Sequence, residues 1–323
     1  MTGSPVDAKI SVIVPAYNHE RFIVRTLESL TLQTRPADEI IVVNDGSPDD
    51  TETAVAPFLN DIDYIRQPNR GVAAALNRGL ERATGDYFLF LASDDYLAPH
   101  ALEVLATTLD GDSQVGVAYG NVTIVDEGGR ALGQPFPRGW CRKIGRHDPT
   151  LDLIQDNFLA APATMSRSEA VRCAGGFADF PHSQDWALWL RIALNGWAFF
   201  GVDDDVAYYR RHHGNTSRPS NCTPALRDAI RMLEWMAREM ERVSAHHANL
   251  LRESAAVHRR NLARSSLADG RVAVARATYQ LLAGQHRHRA EAICGIAMSY
   301  LPPYALRFAV SMAGGREPRS LRI

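Results

Sequence analysis

The sequence predicts an α/β fold, a mostly parallel sheet flanked by helices and followed by an all-helical C-terminal region. Three observations carry that expectation. Short β-rich apolar runs alternate with helical spacing through the first hundred residues, the pattern of a parallel sheet covered on both faces. The residues directly after those runs are acidic and turn-forming, and ligands of such sheets bind beyond the carboxyl ends of the strands. Beyond Pro224 only helical periodicity remains.

The elements follow in order. Residues 9–15 (KISVIVP) read as a buried strand, and 20–34 as a helix spaced by Phe22, Ile23, Leu27, Leu30 and Leu32. Residues 39–43 (EIIVV) form a second strand, with a turn-rich loop, NDGSPDD, leading into a short helix at 51–59. A third strand at 62–66, an Ala-rich helix at 71–83 and a fourth strand at 86–91 (DYFLFL) complete the alternating region. From 99 to 217 the pattern is mixed. It has a strand at 115–119, a hairpin turn at 126–129 (DEGG), a Gly/Pro-rich loop at 133–149, a helix at 183–195 and strands at 198–202 and 206–210. Then come one long amphipathic helix, 226–256, and a helix–turn–helix pair over 261–282 broken at Asp269-Gly270. An apolar stretch, 293–310, is interrupted by Pro302-Pro303. Two domains are expected, 1–223 and 224–323.

Of the 323 residues, 46% are hydrophobic, enough for a sizeable core. The net charge of -2 hides an asymmetry: residues 224–323 hold 16 Arg against 8 acidic residues, whereas the first 223 hold 19 basic against 29 acidic. A basic tail on an acidic body suits either an anionic partner or a solvated helical surface. The four cysteines, Cys141, Cys173, Cys222 and Cys294, lie far apart with no Cys-x-x-Cys pair. That speaks against a zinc ribbon or a disulfide framework and for a reducing cytoplasm. The first residues lack the pattern of a signal peptide, and no apolar run reaches the ~18–20 residues of a membrane span.

Four constellations carry chemistry, each beside a plainer structural role. Ser93-Asp94-Asp95 closes a buried strand, where adjacent acids are costly unless a cation neutralises them. A hard divalent ion on a diphosphate would do so, and a helix N-cap is the alternative. Asn44-Asp45-Gly46-Ser47 can hold a base or ribose, or form an ordinary Asx turn. Asp185 opens an amphipathic helix beside Trp186 and Trp189, as a general base or as a capping acid over core tryptophans. The stretch 209–215 (YRRHHGN) offers metal- and phosphate-binding side chains, or a polar surface loop.

Taken together, the order of these segments resembles the family 2 glycosyltransferases of the GT-A fold. The resemblance rests on 10–34 (ISVIVPAYNHERFIVRTLESLTLQT), 39–51 (EIIVVNDGSPDDT), 69–99 (NRGVAAALNRGLERATGDYFLFLASDDYLAP), GGF at 175–177, 184–196 (QDWALWLRIALNG) and 208–217 (YYRRHHGNTS). It implies that Pro15, Tyr17 and Asp45 line the nucleotide pocket, Tyr17 against the base, and that Asn77 supports the donor site. It assigns Asp94 and Asp95 to the acidic metal motif, Asp94 toward the donor and Asp95 as direct ligand. It further implies that His212 lies close to the metal or diphosphate and that Asp185 is the catalytic base. The implied cofactor is a divalent metal, Mn²⁺ or Mg²⁺. Three acids usual in the family are replaced, by Asn44, Ala92 and Gln184. A Leu, Leu76, stands where an Arg is common.

The resemblance implies an inverting enzyme that moves a sugar from a nucleoside-diphosphate donor, UDP-sugar by default, to an acceptor hydroxyl on a glycan or lipid-linked molecule. Bacterial surface polysaccharide or glycoconjugate synthesis is the expected setting, with no nucleic-acid partner. The missing acids motivate the alternative of a non-catalytic nucleotide-sugar-binding protein. No Gly-x-Gly-x-x-Gly follows the first strand, which speaks against a dinucleotide-dependent oxidoreductase. Arg307, Arg316, Arg319 and Arg322 border the last apolar stretch. That leaves two readings of the tail: peripheral attachment to the cytoplasmic membrane surface, or packing on the catalytic domain or a second copy.

Overall fold

The computed structural model describes residues 8–135, 143–215, 222–283 and 289–301. The chain divides into two units, Met1–Gly214 and Asn215–Ile323.

The first unit is built on a ten-stranded sheet. Its opening part alternates strictly: β1 (Ile10–Ala16), α1 (Ile23–Thr31), β2 (Glu39–Asn44), α2 (Thr51–Val55), β3 (Asp63–Arg66), α3 (Val72–Arg82) and β4 (Tyr87–Phe90). There follow β5 (Tyr96–Leu97), α4 (Ala101–Asp110), β6 (Val115–Val125), β7 (Ala131–Pro135), β8 (Gly145–His147), α5 (Thr150–Gln155), β9 (Thr164–Arg167), α6 (Ser168–Cys173), α7 (Gln184–Leu194) and β10 (Ala198–Arg210). The strand order is β3-β2-β1-β4-β9-β6-β10-β5, with β7 added to β6 and β8 to β10. The block β3-β2-β1-β4 is parallel, as is β6 with β10. β9 runs antiparallel to both β4 and β6 and joins the two halves.

The apolar runs explain this order. Ile10, Val12, Ile13 and Val14 are all fully buried, which places β1 at the centre of a sheet covered on both faces. α3 packs on β1 and β2, and α4 on β6, β9 and β10. The core gathers Ile23, Leu27 and Leu30 of α1 with Leu102, Leu105 and Leu109 of α4 and the strand residues between them. Burying one such side chain contributes about 2 kcal/mol.

Several expectations change in detail. The hairpin turn after β6 is present, with Gly129 N–H donating to Asp126 O. The Gly/Pro-rich stretch 133–149 contains the end of β7 and all of β8, and its residues 136–142 lie outside the described part. The strands expected at 198–202 and 206–210 are one strand, β10, whose pairing with β6 shifts register between Ala198 and Asp205 and again before Ala207. The acidic run Asp203-Asp204-Asp205 falls in that irregular part, so its polarity marks a bulge in β10 and not a loop between two strands.

The second unit is helical: α8 (Cys222–Met240), α9 (Ala245–Ala268), α10 (Val272–Ala283) and α11 (Arg289–Met298). The helix expected across 226–256 is interrupted before Ser244, whose hydroxyl accepts the His247 N–H and caps α9. Ala256, Ala263, Leu267, Ala275, Tyr279, Leu282 and Ala292 form its core. Many of its arginines face acids of the same unit: Arg252 with Glu241, Arg259 with Glu234, Arg264 with Glu291 and Arg271 with Asp269. Among the described residues no helix is long and apolar enough to cross a membrane. Pro302-Pro303, Arg307, Arg316, Arg319 and Arg322 lie outside the described residues.

Candidate active site

The chemistry-bearing residues gather at the carboxyl ends of β1, β2, β4 and β10. After β1, Asn18 takes the left-handed conformation (φ 57), which an Asn tolerates, and its N–H donates to Ser47 Oγ at 3.1 Å. That turn sends His19 back over the sheet end, where its own N–H reaches Thr51 Oγ1. Tyr17 is 44% exposed, an aromatic face open to a planar ligand, and Pro15 is half-buried at the end of β1.

Asp45 is buried and its carboxylate is fully engaged. Oδ1 accepts from Gln67 Nε2 (2.7 Å) and Arg70 N (2.9 Å), and Oδ2 from Gly71 N (2.8 Å). Gly46 (φ 71) lets this loop close up, because a Cβ there would stand 2.8 Å from Asn69 N. Asn44 donates to Tyr64 Oη and accepts from Ser47 N, so the residue in place of the family's acid stabilises the turn.

At the end of β4 the two acids part. Asp95 Oδ1 accepts the Arg210 N–H at 2.8 Å, while Arg210 Nε donates to the Asp94 carbonyl and Nη1 to Glu127 O. The cause is β5, whose antiparallel pairing with β10 lays Asp95 against Arg210. Thr26 of α1 closes the other side, its hydroxyl 2.6 Å from Asp95 O and 2.9 Å from Ser93 O. Neither Ser93 nor Asp95 caps a helix, since α4 begins at Ala101 with His100 before it. Burial and the neighbouring Asp94 carboxylate push the Asp95 carboxyl well above the ordinary range.

The Asp94 carboxylate turns instead toward two imidazoles. His212 Nε2 lies 2.9 Å from Oδ2, and His19 Nε2 lies 3.9 Å from the same oxygen. Burial alone would raise the Asp94 carboxyl, but the His212 hydrogen bond and the charges of the two histidines bring it below its usual value. Burial lowers His19, against the pull of Asp94. Ligand atoms of His19, Asp94 and His212 all lie within 4.8 Å of one another, the one such group among the described residues. Two imidazole nitrogens and a carboxylate oxygen fit a divalent ion by the chemistry of the donor set. Thus the sequence pointed to Asp95 and His212 as ligands, and the structure groups His212 with Asp94 and adds His19.

Asp185 sits in the first turn of α7 over the buried Trp186 and Trp189. Its Oδ1 accepts the Trp186 N–H (2.7 Å) and its Oδ2 accepts from Asn157 Nδ2 (3.2 Å). Burial raises its carboxyl above the ordinary value, against the pull of these two donors. Asp156, next to Asn157, is pushed up to about 6 by burial. Asn77, expected to support the donor site, is clamped to the backbone of Phe177: Nδ2 donates to Phe177 O and Oδ1 accepts Phe177 N, both at 2.8 Å. Gly176 (φ 68) passes beneath it, and a Cβ there would come within 2.7 Å of Asn77 Oδ1. Arg191 of α7 also binds the Gly176 carbonyl. The GGF segment is therefore a fixed post from which the chain enters α7. Gln184 turns its amide nitrogen to Phe180 O and Pro181 O, a donation that the family's carboxylate would not make.

His19 and Asn157 escaped the sequence reading. His19 carried a weak signal, a ligand-capable residue three positions beyond a strand end. Asn157 carried none, because its partner is 28 residues away.

This arrangement, with ligand groups over the carboxyl edge of the parallel block and an acid on the following helix, defines a GT-A glycosyltransferase fold. The sequence profile of Glycosyl transferase family 2 matches residues 11–173, and the chain belongs to that family. A glycosyltransferase of Rickettsia felis is 34% identical over 187 residues, covering 57% of this chain and 31% of the relative; the chain thus matches about a third of that protein's length. Among solved structures, S. aureus TarS (residues 1–349) superposes with a TM-score of 0.64 at 20% identity, over 95% of this chain and 93% of TarS. TarS has also been solved with UDP and with UDP-GlcNAc. The mannosyltransferase PcManGT of Pyrobaculum calidifontis, solved with GDP-Man and Mn²⁺, gives a TM-score of 0.54 at 20% identity, over 96% of this chain and 88% of PcManGT. At such identities the likeness is one of fold.

Proposed function

We propose that the protein transfers a sugar from a nucleoside-diphosphate donor, a UDP-sugar, to an acceptor hydroxyl with inversion at the anomeric carbon. The observation that carries this is the convergence of His19, Asp94 and His212 at the sheet edge, beside the exposed ring of Tyr17. Tyr17 stacks on the base, with Pro15 shaping the floor. Asp45 acts on the nucleotide pocket by holding the loop 67–71 in place. Asp94, His19 and His212 hold the divalent ion, Mn²⁺ or Mg²⁺, while Asp95 braces that turn against Arg210. When bound, the ion supplies charge stabilisation for the departing diphosphate.

Asp185 takes the acceptor proton as the acceptor oxygen attacks. One bond forms to the anomeric carbon and one breaks to the diphosphate oxygen. One base with no nucleophile between donor and acceptor implies inversion, by the geometric logic of inverting hydrolases. The burial that raises the Asp185 carboxyl makes it a stronger base than an exposed carboxylate. The acceptor we expect is a growing glycan or lipid-linked saccharide of the bacterial surface, met in the cytoplasm or at its membrane face. The fold relatives solved with UDP-GlcNAc and with GDP-Man plus Mn²⁺ support a nucleotide-sugar donor.

The test is a panel of nucleotide sugars scored by thermal shift with Mn²⁺. NMR of any product or hydrolysed donor then reads the anomeric configuration. Stabilisation by one UDP-sugar and inverted product are expected. Stabilisation with no turnover toward any acceptor or water would establish the non-catalytic sugar-nucleotide-binding alternative, and retained configuration would overturn the direct displacement.

A further inference from the structure

We infer that helix α8 docks the protein on an anionic lipid surface through a single ridge of arginines set around one tryptophan. Such docking brings the protein to the membrane face named above, and it does not depend on the transfer reaction.

The ridge follows from spacing. Arg227, Arg231, Trp235 and Arg238 stand at positions i, i+4, i+8 and i+11 of α8, and Arg242 continues the series at i+15 in the turn after it. At 3.6 residues per turn these five fall within a sector of about 80°, and Arg227 to Arg238 cover ~16 Å of helix. The opposite face is apolar: Leu226, Ala229, Ile230, Leu233 and Ala237 are buried. The helix is thus held by one face and presents its arginines on the other.

The ridge also has charge to spare. Arg227, Arg238 and Arg242 are exposed, and among the described residues no acid, hydrogen-bond acceptor or ring meets them. Arg231 reaches Asp228 at 3.4 Å, yet its side chain is 64% exposed. The acids bordering the ridge are engaged elsewhere, Glu234 with Arg259 and Glu241 with Arg252, both cations belonging to α9. Glu239 is exposed and lies about a quarter-turn to the side.

A straight row of guanidiniums on a convex helix surface suits a flat field of phosphates, each of which can accept two parallel hydrogen bonds from one arginine. Trp235 is half-buried among them. A tryptophan ring settles at the head-group level of a bilayer, where its apolar body and its N–H are both satisfied. Val243, 77% exposed in the same turn as Arg242, adds an apolar contact at that end. Contact of this kind is peripheral, made by charge and a few side chains and not by a spanning segment.

The experiment mixes the full chain with vesicles of phosphatidylcholine alone, or of phosphatidylcholine with phosphatidylglycerol, and reads flotation at low and high salt. Wild type should float with the mixed vesicles at low salt, leave them as salt rises, and ignore the neutral ones. Arg227→Gln/Arg238→Gln/Arg242→Gln should cut that partitioning at least about tenfold. The three side chains are exposed and unpaired, so helicity by circular dichroism and UDP affinity should stay unchanged. Arg307→Gln/Arg316→Gln/Arg319→Gln/Arg322→Gln, made in the full chain, should cut partitioning less than about threefold. No flotation of wild type, equal flotation of the α8 variant, or a loss confined to the tail variant overturns the role of the ridge. Capture of wild type by long-chain polyphosphate without flotation assigns the arginines to a soluble polyanion and overturns the lipid partner. A folded α8 variant that no longer floats supports the docking, whether or not the chain transfers a sugar.

Discussion

Asp94 and Asp95 are neighbours in the chain and opposites in use. Two adjacent acids in a turn point different ways, and which one faces the imidazoles depends on the end of β10, more than a hundred residues on, so the sequence could mark the pair but not separate their partners. His19 was hidden for the same reason, since its value comes from Ser93 and His212 and not from its own segment. Asp94→Asn should lower Mn²⁺ affinity more than tenfold with little change in fold stability. Asp95→Ala should instead destabilise the protein by about 1–3 kcal/mol, because the Arg210 N–H loses its acceptor in a buried place. Calorimetry and urea unfolding separate the two. Asp185→Asn should reduce turnover at least a hundredfold with donor affinity within about twofold. The base works only when deprotonated, and burial holds its carboxyl above the usual range. The rate should therefore fall with decreasing pH earlier than an exposed Asp would dictate. Hydrogen bonds to a carboxylate favour its charged form, so Asn157→Ala should raise the Asp185 carboxyl further and move the acid limb of kcat/KM to higher pH. An unmoved limb would show that Asn157 does not orient the base.

Elements with strong periodicity were legible. The four parallel strands and the helices between them announced themselves because buried parallel strands are continuously apolar and their crossovers are amphipathic. Short or irregular elements were not. β9 is four residues long and β5 two, and both exist through their partners. The break between α8 and α9 was masked by an unbroken amphipathic pattern, and the signal that ends it is one capping serine. The GGF segment shows a contact that the resemblance leaves out. Asn77 faces the backbone of Phe177 and holds the entry to α7. Asn77→Ala should speed amide exchange across residues 176–183 at least tenfold and lower kcat through Asp185, with UDP affinity within about twofold. A large loss of UDP affinity with unchanged exchange would return Asn77 to the donor pocket.

For the whole molecule, the sequence changes from an alternating to a purely helical pattern, and the two stretches differ in charge. What charge did not reveal is how much of the basic excess is spent internally. Arg252, Arg259, Arg264 and Arg271 already face acids, and such pairs leave less for an external anionic surface. Arg307, Arg316, Arg319 and Arg322, which border the last apolar stretch, are where the tail's part in membrane attachment is tested. The full chain should float with vesicles rich in anionic lipid at low salt, release as salt rises, and ignore neutral vesicles. Loss of that binding on removing residues 302–323 would assign it to them, and absence of any vesicle binding favours packing on protein. The sheet order carries one more consequence. β10 is the last strand of the first unit, yet it brings Arg210 and His212 to acids made more than a hundred residues earlier. A ribosome that has released only the first 194 residues has therefore produced both carboxylates, Tyr17 and His19, but neither the arginine that braces Asp95 nor the second imidazole that faces Asp94. During synthesis all four strands of the parallel block leave the ribosome well before β10. The corner that groups His19, Asp94 and His212 must wait for β10, so a stalled or truncated nascent chain would carry the turns after β1 and β2 with that trio incomplete.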